Sequence, residues 1–314
     1  MNIYDKNQIS AVTCLDQDAL AAVEDGFAAL GRDEVTMPPI LSMNIVESNG
    51  EVDVKTAHIR GKERFAIKIS PGFFDNPKLG LPSLNGLMVL FSAKTGIVDS
   101  ILFDEGYLTN IRTALAGAIA AKHLARKEAT SVAVIGSGMQ AELQVAALTL
   151  VRDIRQVHIF ARSNDKMQTY KARMAKMYDL PVQIHNSAHS ACSEADIVIT
   201  TTPSTTPVLH WNDLKAGTHV TAMGSDNNHK QELESSILSN ADLMIVDRRS
   251  QSETIGELNH YPGTFPNPIY ELGSLIAEET QLRSNPSQIT ICDLTGTGVQ
   301  DTAIANYTAS LLDH

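Results

Sequence analysis

The sequence predicts an α/β fold, a doubly wound parallel sheet preceded by a mixed α+β domain. Three observations carry that prediction. From residue 131 onward, short apolar runs ("SVAVI", "QVHIF", "DIVIT", "DLMIV") alternate with stretches of helical character, as strands covered on both faces do. The first of these runs empties into "GSGMQA" and then a helix-like stretch, the strand–turn–helix order of a glycine loop. Before residue 117 comes a strand-rich block after a helix, its last two strands joined across a short turn, the pattern of a mixed α+β domain.

In order along the chain, residues 16–30 ("DQDALAAVEDGFAAL") predict an amphipathic helix, with Leu20, Val23, Phe27 and Leu30 on one face. After "MPPI", strands are expected at 52–59, 65–70, 87–92 and 98–102, the last two forming a hairpin about "AKTG". Residues 108–124 turn helical and Ala-rich, and Thr109 and Asn110 stand where they could cap that helix. Such a cap would place Arg112 in the first turn, against the helix dipole. Strands and helices then alternate through "QVHIFA", "DKMQTYKARMAKMY", "ADIVITTT", "THVTAMG" and "ADLMIVD". The tail from residue 289 adds "ITICDLTGTGVQD" and a last helix that is expected to return to the first domain. The division is expected inside the Ala-rich helix, giving residues 1–117, completed by about 295–314, and residues 118–294.

At 314 residues, 43% of them hydrophobic, the chain can build a core for each domain. Its net charge of −11 argues against nucleic acid or an anionic membrane as partner. No apolar run reaches membrane-spanning length, and "MNIYDKNQIS" lacks the pattern of a signal peptide. Cys14, Cys192 and Cys292 lie far apart, which suits reduced thiols in a cytoplasmic enzyme. His58, His123, His229 and His260 show no ligand spacing, so no metal site is predicted. His229, three residues from Asp226, is noted as a neighbour of a candidate site.

Gly136-Ser137-Gly138-Met139-Gln140-Ala141 fits G-x-G-x-x-A. Gly136 would permit the tight turn, Gly138 a close approach of a pyrophosphate, and Ala141 close packing of helix on strand. The helix N-terminus would add free N–H groups and a positive dipole. A Rossmann-type dinucleotide site is therefore expected. The acid that usually reads the ribose 2′-OH is missing after the second strand, where "HIFARSND" places Arg162 and Ser163. That composition suits a 2′-phosphate and favours NADP(H), with NAD(H) as the alternative. Thr201 and Thr202, at the carboxyl end of a later strand, are further candidate contacts.

Three cations stand out in the first domain: Lys55, Lys68 and Arg112. Alternation puts Lys68 on the face opposite Ile67 and Ile69, where it meets either a cleft or water. Arg112 could grip a carboxylate with two parallel hydrogen bonds. Asp226, in "AMGSDNNHKQEL" at another strand end, reads equally as an acid/base group or as a cap for a helix beginning in "HKQELESSIL".

"GYLTNIRTALAGAIAAKHLA", "VIGSGMQAELQ" and "AMGSDNNHKQEL", in that order, resemble the ornithine cyclodeaminase/μ-crystallin family over nearly the whole chain. "EVDVKTAHI" and "FAIKISPGFFDNPKLGLPS" further resemble a branch that holds Δ1-pyrroline-2-carboxylate reductases and ectoine-utilisation cyclodeaminases. The resemblance implies a homodimer and a discontinuous substrate and dimerisation domain, with the active site between it and the dinucleotide domain. It assigns Lys68 and Arg112 to the substrate carboxylate and catalysis, and Asp226 to the substrate amine. It sets Gly136 to Gln140, Thr113, Met223 and Ser225 near the dinucleotide. The chain departs from the ornithine-type enzymes in lacking an arginine in "ILSMNI" and in carrying Lys55 near the place of their glutamate. The expected activity is reduction of a cyclic imino acid, Δ1-pyrroline-2-carboxylate to L-proline, by hydride from NAD(P)H. An ammonia-releasing cyclodeaminase of the ornithine or diaminobutyrate type and an NADP(H)-binding protein of the μ-crystallin type are the alternatives.

Overall fold

The structure is a computed structural model that describes residues 1–313. It divides into two compact units, Met1–Arg112 together with the segment from Thr297, and Thr113–Gly296. The division falls between Arg112 and Thr113, inside the Ala-rich helix, rather than after residue 117.

The first unit opens with β1 (Asn2–Asp5), α1 (Lys6–Val12) and α2 (Gln17–Gly31). Asp16 caps α2, its carboxylate accepting the Ala19 N–H at 2.7 Å. Leu20, Val23, Phe27 and Leu30 are all buried, as the periodicity requires. The strands are β2 (Val35–Thr36), β3 (Leu41–Ile45), β4 (Gly50–Ile59), β5 (Arg64–Phe73), β6 (Leu87–Ser92) and β7 (Val98–Phe103). They form one sheet in the order β1-β7-β6-β5-β4-β2, with β3 also on β4. β1 lies parallel to β7 and the other pairs are antiparallel. The β6–β7 hairpin forms where "AKTG" predicted a turn, with a register shift at Leu90/Phe91.

The Ala-rich helix, α3 (Tyr107–Leu124), starts earlier than expected. Asp104, not Thr109 or Asn110, holds its start, accepting the Leu108 N–H at 2.7 Å. Arg112 therefore sits in the second turn, and the expected conflict with the dipole largely disappears, since that effect fades beyond the first turn.

The second unit alternates β8 (Ser131–Ile135), α4 (Met139–Leu148), β9 (Gln156–Phe160), α5 (Asn164–Tyr178), β10 (Val182–Ile184), α6 (Ala188–Cys192) and β11 (Ile197–Thr200). It continues through β12 (His219–Ala222), α7 (Ser235–Asn240), β13 (Leu243–Val246), α8 (Arg249–Ile255), β14 (Ile269–Glu271), α9 (Leu272–Ala277) and β15 (Thr290–Asp293). Its strands are all parallel, in the order β10-β9-β8-β11-β12-β15-β13-β14. Successive residues feed two cores: Val132, Val134, Ile197 and Ile199 enter one, and Ala133, Ile135 and Val198 the other. Double burial explains why these strands read as unbroken apolar runs. The tail's "TICD" run inserts as β15 between β12 and β13. The strand order reverses between β8 and β11, the place where such sheets open a crevice at their carboxyl ends.

The last helix, α10 (Gly298–Leu312), belongs to the first unit. Its Thr302 hydroxyl donates to the Ala57 carbonyl at 2.8 Å, and its Asn306 amide to the Arg64 carbonyl at 3.2 Å. α10 thus lies against the face of β4 and β5 that carries Lys55 and Lys68.

Candidate active site

Lys55 on β4 and Lys68 on β5 stand directly opposite in register. Paired residues share a face of the sheet, and this face is the inner one. Lys68, Lys55 and Arg112 keep only 2%, 6% and 6% of their surface exposed. The alternative of a strand lysine in water is thereby excluded for Lys68. Asp301, from α10, reaches both Lys68 and Arg112. Lys68 Nζ lies 2.9 Å from its Oδ2, and Arg112 Nε lies 2.8 Å from its Oδ1. The Arg112 contact is an ion pair without hydrogen-bond alignment, so its buried Nε remains without an aligned acceptor. Arg112 Nη1 donates to Gln300 Oε1 at 2.9 Å. Neither Asp301 nor Gln300 was singled out in the sequence.

Burial pushes the Lys68 ammonium down to about 7, with Arg112 and Lys55 adding to the push and Asp301 opposing it. Burial likewise raises the Asp104 carboxyl to about 6 against its backbone hydrogen bonds and the charge of Lys68. For Asp301 burial acts upward too, but Arg112, Lys68 and Lys55 outweigh it and hold the carboxyl below its ordinary value. Arg112, Lys68 and Lys55 all act on the Asp301 carboxylate in a dry place. A second carboxylate entering from solution would meet the same positive groups.

In the second unit, the glycine loop joins β8 to α4 at the point where the strand order reverses. Gly136 has φ +127°, and a Cβ there would stand 2.5 Å from Thr201 Oγ1. Both the backbone and the space demand glycine. Gly138 differs: nothing lies within 4 Å of the Cβ it lacks. No protein atom therefore explains that glycine, and the open space in front of it fits a group from outside. Gly138 is also the N-cap of α4, with no side chain capping the helix, so a phosphate could approach that helix N-terminus. Ala141 is wholly buried. Met139 is 63% exposed at the loop's rim, next to Gln140 and after Ser137. Thr113 offers its carbonyl to Gln144 Nε2 at 2.9 Å, which ties α3 to α4.

Thr201 and Thr202 follow β11, and the Thr201 N–H donates to the Ile135 carbonyl at 3.0 Å, beside Gly136. Met223 and Ser225 follow β12. Ser225 is buried, and its hydroxyl donates to the Lys230 carbonyl at 2.6 Å. Arg162 is exposed just past the end of β9. Ser163 caps α5 and accepts the Lys166 N–H at 3.4 Å. The helix-cap reading of Asp226 is corrected: no helix begins in "HKQEL", and α7 starts only at Ser235. Asp226 is instead exposed and pairs with Lys230 Nζ at 2.6 Å. His229 is also exposed.

Sequence reasoning also missed a run of buried carboxylates at the strand ends of this unit. Glu232, Glu257, Asp247 and Asp293 are all wholly buried. Burial, reinforced by Asp293 and Glu232, drives Glu257 well above its ordinary value. Burial also raises Asp293 to about 7, with Asp247 and Glu232 contributing. Among the described residues, no three His, Cys, Asp or Glu side chains are grouped to hold a metal ion.

A model of the ornithine cyclodeaminase/mu-crystallin family matches residues 2–311. An uncharacterized cyclodeaminase of Sinorhizobium fredii is 48% identical, over 97% of this chain and 94% of that protein. A Δ1-pyrroline-2-carboxylate reductase of Bacillus thuringiensis subsp. konkukian is 32% identical, over 98% of this chain and 92% of that protein. An archaeal alanine dehydrogenase dimer solved with bound NAD has a TM-score of 0.91 at 29% identity, with coverage of 99% and 95%.

Proposed function

The chain belongs to the ornithine cyclodeaminase/mu-crystallin family, and from that premise we propose that it is a nicotinamide-dependent ketimine reductase acting on a cyclic imino acid, Δ1-pyrroline-2-carboxylate above all, to give L-proline. The observation that carries this reading is the buried set Lys55, Lys68 and Arg112 around Asp301. It suits a small carboxylate. Lys55 also disfavours a substrate with a second ammonium group, such as ornithine, by like-charge repulsion at low dielectric. A ring imine carries no such group. The Bacillus relative named as a Δ1-pyrroline-2-carboxylate reductase supports the same choice.

On this reading Arg112 and Lys68 clamp the carboxylate, so that the imine carbon is held in one orientation. A bound reduced nicotinamide supplies hydride to that carbon. The imine nitrogen must carry a proton to accept hydride well. Lys68, poised at about 7, can hold that proton at its Nζ near neutral pH. Asp226, with its carboxylate on an exposed loop, favours the iminium or relays a proton through water. Gly136, Ser137, Gly138, Met139 and Gln140 hold the pyrophosphate, with Thr113, Thr201, Thr202, Met223 and Ser225 around the rest of the dinucleotide. NADP(H) is the preferred form, because β9 ends at Phe160 without an acid, and exposed Arg162 and half-buried Ser163 follow. NAD(H) is the alternative, as in the archaeal dehydrogenase. A homodimer in the cytoplasm completes the proposal.

A cyclodeaminase is the second reading, favoured by the name of the Sinorhizobium relative. The test follows absorbance at 340 nm with NADPH or NADH and Δ1-pyrroline-2-carboxylate, and in parallel assays ammonia release from ornithine and 2,4-diaminobutyrate. Loss of NADPH without ammonia is expected. Ammonia release without net cofactor change would establish the cyclodeaminase. Dinucleotide binding with neither activity would leave the μ-crystallin type of binder.

A further inference from the structure

Glu232 lies in the loop after β12 and reaches back to the carboxyl ends of two strands. Its Oε1 accepts the Thr202 N–H at 2.5 Å and the Thr202 hydroxyl at 2.8 Å. Its Oε2 accepts the Thr200 hydroxyl and the Gly224 N–H, both at 2.7 Å. Thr200 ends β11, and Gly224 follows β12 by two residues. One side chain, fully buried, therefore fixes both strand ends that flank the glycine loop's neighbour Thr201.

Glu232 is itself held from behind. Glu257 accepts the N–H groups of Glu232 and Leu233 at 2.9 and 3.1 Å. Asp293, at the end of β15, accepts the Glu257 N–H at 2.9 Å and the Ser252 hydroxyl. Three buried carboxylates thus act in series along the carboxyl edge of the sheet, each one pinning the backbone that carries the next. Loops at such an edge are ordinarily the mobile part of an α/β unit. Here the strand ends are held by buried side-chain carboxylates.

We infer that Glu232 is a positioning residue for dinucleotide binding: it sets the Thr200–Thr202 and Gly224 strand ends into the wall beside Gly136. The inference rests on reading the glycine loop as a dinucleotide site. The four donors explain why glutamine cannot replace this glutamate. Each oxygen meets one hydroxyl, which can rotate, and one backbone N–H, which cannot. The amide of E232Q must therefore face either the Thr202 or the Gly224 N–H, donor against donor.

The experiment titrates NADPH and NADH against the natural protein, E232Q and Thr200→Val by cofactor fluorescence, with thermal melting alongside. KM values for dinucleotide and for imine are then measured separately. E232Q is expected to raise the dinucleotide Kd about tenfold or more, and Thr200→Val about two- to threefold, as one lost or reversed hydrogen bond would do. The imine KM should stay within about twofold, because the Glu232 carboxylate bonds Thr200, Thr202 and Gly224 of its own unit. A merely structural role would lower the melting temperature and the fraction of active enzyme but leave the dinucleotide Kd alone, and that result would overturn the inference. If E232Q does not fold, an unchanged Kd in Thr200→Val would overturn it instead. A natural protein that binds neither dinucleotide would refute the functional reading itself, and this inference with it.

Discussion

At the scale of the residue, the proposed chemistry would turn on keeping Lys68 charged in a dry place. Its ordinary value of 10.5 falls to about 7, chiefly through burial. Between those values an unfolded chain would hold a proton on Lys68 that the folded chain releases. This residue therefore makes the fold gain stability as pH rises from about 7 towards 10.5. Activity should move the other way. If the ammonium binds the substrate carboxylate and supplies the proton, kcat/KM for the imine should fall as pH rises through about 7, the value for free enzyme. In Lys68→Arg the cation no longer titrates in that range, so the alkaline fall in binding should vanish even if kcat drops. A profile in Lys68→Arg with the same fall near pH 7 would assign the titration to another group. Arg112→Ala should raise the imine KM about 10- to 100-fold, the worth of a lost charged hydrogen bond, while the dinucleotide KM stays put. Lys55→Glu should shift preference from the ring imine towards a diamino acid, measured as the ratio of their kcat/KM values.

At the scale of the element, the glycine loop gives the sharpest expectation. Gly136→Ala would force a side chain onto φ +127° and into Thr201 Oγ1. It should abolish dinucleotide binding, measured by fluorescence titration, well before it prevents folding of the first unit. Gly138→Ala meets no protein atom. It should leave the melting temperature unchanged and still weaken dinucleotide binding, which separates the two glycines. The tight turn at Gly136 was legible in the sequence because a strand, a turn and a helix are local patterns. So were Lys68 and Arg112, as charges set in apolar surroundings. Asp301 was not legible. It meets Lys68 across 233 residues of chain, and only the docking of α10 on β5 makes that contact. Glu232 was hidden differently. "HKQELESSIL" has helical composition, but its first half is kept out of the helix by bonds to Glu232 and Glu257, and α7 is left with Ser235–Asn240. Asp104 escaped notice because Thr109 and Asn110 are equally good caps on composition alone; the turn before the helix decided among them.

At the scale of the whole molecule, the first unit's sheet carries an argument about assembly. Its inner face is closed by α10, and its outer face is apolar in continuous rows. Leu41, Val54, Ile69 and Leu87 are aligned by the pairings β3–β4–β5–β6. Ile67, Val89, Ile101 and Ile3 are aligned by β5–β6–β7–β1. Partners in register share a face, so both rows lie on the side away from Lys68. None of these side chains reaches the core: Leu41 is 62% and Ile3 55% exposed, and the others are partly exposed. An apolar patch running across a whole sheet is more than a monomer usually leaves to water. A second copy of the same sheet would cover it with a self-complementary contact, as closed two-fold symmetry requires. Light scattering on the purified protein should therefore give twice the chain mass of 34.0 kDa. Ile69→Asp, at the middle of one row, should halve it, because a charge buried in such an interface without a partner costs several kcal/mol. Ile69 lies on the face of β5 opposite Lys68 and the glycine loop belongs to the other unit, so the dissociated variant should still bind dinucleotide. A natural protein that scatters as a monomer at micromolar concentration would leave the apolar rows without this explanation.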